Sequence, residues 1–492
     1  MRALTLRRAM VLAGIGTALW CAAAAPARAT FGARTTADEP QYLLTALSLW
    51  EDGSLDIADE LADERWRAFH EAPLPEQTKP LDGGRRLSPH DPLLPLVLAV
   101  PMGLGGWLAA KLTLALFAGG LAATLVWVAV RRLTVPATVA TGTALAFSLA
   151  APLVVYGTQV YPEVPAAVAV TLGIAAVTGP LTRGGRWLLA ASVVVLPWLA
   201  VKYAPIAGAL ALVALVRLWR RGDRRPVLVL AGGLALAGGA YLAFHQAVYG
   251  GWTVYAAGDH FVGGELTVAG TDPNYLGRSE RLLGLLVDRG FGLAAWAPAW
   301  LLAVPAIGAL LRRRPAGWPT LVAVAGAGWL MATFVALTMH GFWWPGRQVV
   351  VVLPALVLAV AWWLAATRSR VGRLVLGVGA AAGIVTWGWL LVEVLRERLT
   401  VVIAFEATRN PIYLAWRLLL PDYRELTAAG WVRHGAWIGG VLVLAVVGWR
   451  SAAFKVPSIT NEENARDDHA IGSVGGRGRS GGRVLAGRGG MR

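Results

Sequence analysis

Two acidic motifs stand out where the chain is otherwise apolar. Asp38 and Glu39 follow the first apolar run in TTADEPQYLL, and Glu163 stands in VYPEVP with no other acid between Asp91 and Asp223. A carboxylate facing a substrate hydroxyl can take its proton as a general base. An ionisable group at a membrane boundary amid apolar sequence is a functional candidate by default. Basic groups accompany them: His90 in SPHDP, Lys202 in AVKYAP, and Arg347 in HGFWWPGRQ together with His340. Cations aimed at a phosphate stabilise the charge it gains on leaving. By the topology of the spans all of these fall on the outer side, the arrangement needed to hold a lipid-linked phosphate beside a carboxylate. Each motif also has a structural alternative. Acids at helix starts serve as caps and suit the helix dipole, and long basic side chains at helix ends snorkel.

The elements that position these residues are membrane helices. Of 492 residues, 56% are hydrophobic and only 15% charged, and the mean hydropathy is +0.56. A soluble domain carries about 25% charge, so neither a set of soluble domains nor extended disorder fits. The single cysteine, Cys21, excludes an intrachain disulfide, a thiolate zinc cluster and a CxxC pair. At about 20 apolar residues per crossing, spans are expected near 9–27, 107–130, 135–156, 162–181, 187–201, 203–219, 226–247, 291–311, 317–338, 348–366, 373–393 and 435–449. The chain is thus an all-α polytopic membrane protein of about 12 helices. Residues 187–219 are read as a hairpin turning at Lys202, because arginines flank both of its ends.

The net charge of +16 follows from this topology. The segments assigned to the cytoplasm hold most of the arginines and, as acids, only Asp223, Glu462, Glu463, Asp467 and Asp468. Positive charge here encodes orientation in the plasma membrane, with both termini inside, and not nucleic-acid binding. Arg2, Arg7, Arg8 and the APARA string ending at Ala29 resemble a secretory signal; the many later spans favour a retained first helix. The membrane domain is expected over 1–455. The Gly/Arg-rich stretch 456–492 reads as a disordered cytoplasmic tail.

Three outer loops, 30–106, 248–290 and 394–434, are too long to be connectors. The first contains ADEPQYLLTALSLWEDG, with Leu43, Leu44, Leu47 and Trp50 at helical spacing, and LDIADELADERWRAFH, with Leu55, Ala58, Leu61, Ala62, Trp66 and Phe69 together. Both read as amphipathic helices lying in the membrane interface. SPHDPLLPLVLAVPMGLGG, interrupted by Pro92, Pro95 and Pro101, reads as a re-entrant segment and not a span.

Taken in order, the acidic pair past the first span, the amphipathic helix, the His-x-Pro segment, the YPE string and the KY hairpin resemble the GT-C glycosyltransferases. Protein O-mannosyltransferases and the transferase that adds aminoarabinose to lipid A are the nearest cases. RLLGLLVDRGFGLAAWAPAWLLAVPAIGALLRRR is similar to bacterial members, and the resemblance covers roughly residues 1–370. It implies transfer of a sugar from a polyprenyl-phosphate donor to a glycan, lipid or protein hydroxyl at the outer face, with inversion and no required metal, although clustered carboxylates leave a divalent ion open. Asp38 would be the base, Glu39 would position donor or acceptor, and Glu163 would orient the acceptor or support the base. His90, Lys202 and Arg347 would hold the phosphate, with Lys79, Arg85 and Arg86 as competitors. HGFWWPGRQ is shorter than the Trp-Gly-Gly-rich stretch of many relatives. A transporter with paired broken helices and a repeat, or a non-catalytic binder of lipid-linked sugar, are the alternatives; Lys111 is the main mid-span charge.

Overall fold

Inside a bilayer each backbone amide must be satisfied within its own segment, so long apolar runs fold as helices. The computed structural model describes residues 4–258 and 273–451, and these are helical with no strand among them. All fall within one compact unit, Met1–Ala453. The stretch 456–492 and residues 259–272 of the second outer loop lie outside the described residues.

The helices that build the protein are α1 (Leu6–Ala24), α2 (Glu39–Glu51), α3 (Ala58–Ala62), α4 (Leu93–Leu133), α5 (Ala137–Ser148), α6 (Glu163–Thr178), α7 (Arg183–Leu199) and α8 (Ala204–Arg220). They are followed by α9 (Arg224–Tyr249), α10 (Ala303–Arg313), α11 (Trp318–Leu330), α12 (Leu353–Thr367), α13 (Arg370–Leu395) and α14 (Ala428–Ser451). Among the described residues, eight helical segments are long and apolar enough to cross a membrane, which makes this a multi-pass membrane protein. The expected figure of 12 is not reproduced by helices of full length. Segment 135–156 stops at Ser148 and resumes only over Leu153–Tyr156, and 291–311 is split into Leu293–Trp296, a 3-10 turn and α10. α6 and α7 have 16 and 17 residues. The hairpin does form: α7 and α8 pack on each other across the 3-10 turn Val201–Tyr203.

The first outer loop departs most from the amphipathic reading. Glu39 through Ser48 of α2 are all buried, so this helix lies inside the protein and not in the interface. α4 covers its apolar side, while its polar groups bond inward; the Ser48 hydroxyl, for example, donates to the Asp56 carbonyl at 2.6 Å. The second expected helix breaks after α3, because Glu64 takes a left-handed conformation (φ +51°) and a 3-10 turn follows over Arg65–Ala68. The re-entrant segment also proves to be something else. Pro92 caps and Pro95 enters the first turn of α4, where a missing N–H costs nothing, and the helix runs 41 residues with non-helical angles only at Gly105 and Gly106. Gly106 has φ +62°, a conformation open to glycine, so the segment becomes the bent first arm of a long helix.

Close helix packing relies on missing side chains, as is usual in membranes. A Cβ on Gly448 of α14 would lie 2.0 Å from the Pro305 carbonyl of α10, and one on Gly308 would lie 2.4 Å from that of Ala445. Gly448→Val is therefore expected to destabilise the protein by about 1–3 kcal/mol. This is read as a lowered midpoint in detergent thermal unfolding; an unchanged midpoint would refute the packing argument.

Candidate active site

Four separate segments deliver the candidate residues. Asp38 is the N-cap position of α2, yet its side chain makes no capping hydrogen bond. The preceding Ala37 has φ +49°, a left-handed state that costs a non-glycine residue about 1–2 kcal/mol and turns the chain so that the Asp38 carboxylate is free for other partners. Glu163 opens α6 and does not cap it either. Lys202 sits in the turn between α7 and α8. Arg347 begins a 3-10 turn ahead of α12, following Gly346 with φ +84°.

These side chains meet in one cluster. The Arg347 guanidinium donates through Nη2 to Asp38 (2.5 Å) and through Nε to Glu163 (3.1 Å). Lys202 Nζ donates to the same Glu163 oxygen at 3.0 Å. Arg347 is also held by rings: it lies 4.1 Å from the Tyr161 centroid and 5.4 Å from that of Trp343, cation–π contacts that strengthen when water is excluded. With its side chain only 10% exposed, Arg347 is not snorkelling. Glu163 is fully buried, whereas Asp38 keeps 21% of its side chain exposed. His90 Nε2 lies 4.0 Å from Asp38 and 3.1 Å from the Gln77 side-chain oxygen, and the Tyr42 ring stacks on it at 4.6 Å.

A cavity of about 460 Å³ opens over this cluster. Asp38, His90, Lys202 and Arg347 form its polar side; Ile206, Met331, Ala332 and Val335 are among its apolar walls. Burial pushes the Asp38 carboxyl up, but the Arg347 guanidinium, with His90 and Lys202, outweighs it and holds the group well below the usual carboxylate range. The arrangement provides an ionised carboxylate and two fixed cations on one wall, with an apolar surface opposite. A phosphate attached to a hydrocarbon chain matches both surfaces.

Two solved structures resemble the chain. The crystal structure of ArnT from Cupriavidus metallidurans bound to undecaprenyl phosphate is 16% identical, with a TM-score of 0.47 over 90% of this chain and 75% of that one. The same protein in the apo state is 17% identical, with a TM-score of 0.45 over 91% and 74%. No protein-family profile and no curated protein matches the sequence. Likeness at this level is a likeness of helical arrangement, so the chemistry rests on the residues of the site.

Other residues singled out in the sequence lie elsewhere. Glu39 turns away from the cavity: its two oxygens accept the amides of Thr36 (3.1 Å) and Val160 (2.8 Å), and burial raises its carboxyl despite Lys111 and those two bonds. It ties the approach to α2 to the approach to α6 and lies outside the lining of the cavity. Lys79 and Arg85 are exposed and do not line the cavity, and Arg86 pairs with Glu76. His340 faces Asp288 at 3.6 Å, outside the lining of this cavity. Lys111 donates to the Arg34 carbonyl at 2.6 Å, beside the Trp107 ring.

Several residues of the site carried no sequence signal. Gln77 donates to the Ala37 carbonyl (3.3 Å) and reaches Asp38 at 3.5 Å while meeting His90. Asp91 accepts from the Tyr241 hydroxyl (2.7 Å) and the Val201 amide (2.8 Å) and faces His245 at 3.2 Å. It thereby fixes the turn that carries Lys202. The SPHDP string marked this neighbourhood through His90, but nothing in it distinguished the roles of the two residues.

Proposed function

We propose that the protein is a membrane glycosyltransferase that moves a sugar from a polyprenyl-phosphate donor to an acceptor hydroxyl at the outer face of the plasma membrane, with inversion. The observation that carries this reading is the exposed edge of Asp38 at a cavity where Arg347 and Lys202 are fixed beside it. The order of the sequence motifs supports it as well. In the reaction the acceptor oxygen attacks the anomeric carbon as the bond from that carbon to the phosphate oxygen breaks. The acceptor proton passes to Asp38, and the lipid phosphate leaves with one more negative charge, which Arg347 and Lys202 neutralise. Glu163 is a positioning residue: it holds both cations from behind and never faces the cavity.

The pairing of Asp38 with Arg347 adds a step. A carboxyl held far below its ordinary range is a weak base, and the donor phosphate competes for the same guanidinium through charge-assisted hydrogen bonds. When the phosphate draws Arg347 away, Asp38 regains basicity in the presence of its substrate. In the free protein Asp38 is ionised throughout the working range; in the complex its protonation point lies higher. The acid limb of kcat, which reports the complex, is therefore expected at higher pH than the acid limb of kcat/KM, which reports the free protein. Coincident limbs would refute this coupling. The function itself is tested by incubating the purified protein with radiolabelled polyprenyl-phosphate sugars and membrane glycan, lipid or protein acceptors. Label transfer that needs Asp38 is expected. Donor binding without transfer to any acceptor would instead identify a non-catalytic binder.

A further inference from the structure

The first outer loop has a second charged cluster that the reaction does not use. EDGSLDIADELADERWR contains Glu51, Asp52, Asp56, Asp59, Glu60, Asp63 and Glu64 against Arg65 and Arg67. Both arginines are engaged: Arg65 pairs with Glu51 (2.8 and 3.0 Å) and Arg67 with Glu64 (2.5 and 2.9 Å). Asp56 accepts the amides of Ala58 (3.1 Å) and Arg86 (2.8 Å). Asp52, Asp59, Glu60 and Asp63 remain, and the first three converge. Gly53, at φ +66°, turns the chain after α2, and each of the three acids offers an oxygen within 4.8 Å of the other two.

Glu60 makes this more than a patch of surface acids. It is 2% exposed, and neither of its carboxylate oxygens has a hydrogen-bond partner of normal geometry. None of the three acids forms an ion pair with a base among the described residues. A buried carboxylate aimed at two others is costly unless a cation or a shared proton joins them. Asp52 is the C-cap of α2, at the end of the helix where the dipole is already negative. The carboxylates and the helix end favour a positive ion here, and the nearby Arg65 guanidinium is already paired with Glu51.

We infer that Asp52, Asp59 and Glu60 form a binding site for a divalent cation of the calcium class. Carboxylate oxygens are hard ligands, and calcium accepts an irregular set of six to eight oxygens, including water. Glu60 supplies the buried anchor, while the exposed Asp52 and Asp59 leave room for water to complete the shell. Magnesium, which requires near-ideal octahedral geometry, suits three carboxylates from a turn and a short helix less well. α2 begins next to Asp38 and ends next to Asp52, so the ion clamps its far end to α3. This site stands independently of the proposed transfer reaction.

The test uses the full-length protein in detergent, stripped with EDTA and titrated with calcium chloride. Equilibrium dialysis with radioactive calcium is expected to give one site, with a Kd of about 10⁻⁴–10⁻³ M, the range of weak extracellular sites. The thermal midpoint should rise with the same saturation, and magnesium should bind about tenfold or more weakly. Glu60→Gln should remove both the binding and the thermal response. Asp52→Asn and Asp59→Asn, at exposed positions that tolerate change, should each weaken binding at least tenfold and keep the inference testable where Glu60→Gln does not fold. No saturable binding by the native protein, or an unchanged Kd in these variants, would overturn the site. Equal affinity for magnesium would overturn the calcium assignment.

Discussion

Asp38→Asn is expected to lower kcat by about 10²–10⁴-fold, the usual worth of a positioned acid or base, without weakening donor binding. Asparagine keeps the shape of the side chain and can still meet Gln77, but it cannot accept the acceptor proton. It also removes one negative charge from a cluster that pairs Asp38 and Glu163 with Arg347 and Lys202. The remaining excess of positive charge attracts a phosphate more strongly, so the donor Kd should stay the same or fall. Turnover and donor binding measured on the same preparation separate the two effects. Unchanged turnover removes Asp38 as the base; a large loss of donor affinity would recast it as a binding residue.

Arg347→Gln should produce the largest loss of stability. Removing one partner of a buried ion pair leaves the other charge uncompensated and costs about 3–5 kcal/mol. Here a single guanidinium serves two carboxylates, one of them fully buried. Lysine is not a conservative replacement, since a point charge cannot make divergent bonds through Nε and Nη2 as the planar fork does. Glu163 retains Lys202, which limits the damage on that side. The variant should unfold at markedly lower temperature in detergent, and adding Glu163→Gln should restore part of the loss, because residues sharing one partner couple non-additively. A single variant as stable as the native protein would mean that the ion pairs hold little of this region together.

Reading the sequence located the polar cluster more readily than its surroundings. Asp38, His90, Glu163, Lys202 and Arg347 drew notice because charges are rare in this chain and these lie at helix ends. The structure brings all five together. The hairpin at Lys202 was legible too, from the arginines that must stay on one side. Glu39 misled through adjacency: successive residues of a helix point about 100° apart, and here Asp38 meets the cavity while Glu39 is taken up by the Thr36 and Val160 amides. Gln77 and Tyr42 were invisible because neutral residues in loops or apolar helices have no distinguishing pattern, and Tyr161 was noticed only as part of the YPE string, without a role. The burial of α2 was hidden for another reason. An amphipathic stripe records which side is apolar, and its polar side is covered here by chain from more than a hundred positions away, as the Glu39–Val160 bond shows.

The shared guanidinium has a consequence for how the protein is made. Arg347 follows Asp38 by 309 positions and Glu163 by 184. At about 5–20 residues per second of synthesis, the first carboxylate waits roughly 15–60 s for its counter-charge. During that interval the nascent chain carries two acids without that guanidinium: Glu163, bound for a fully buried position where Lys202 can reach it, and Asp38 at the cavity edge. Insertion of α1 through α8 must therefore proceed with an electrostatic fault at its centre, exposed to water or to the insertion machinery. The last repair arrives only when the segment before α12 is threaded. Ribosome stalling ahead of position 347 should leave an intermediate that proteases cut readily in the first outer loop, with protection appearing once that arginine is in place.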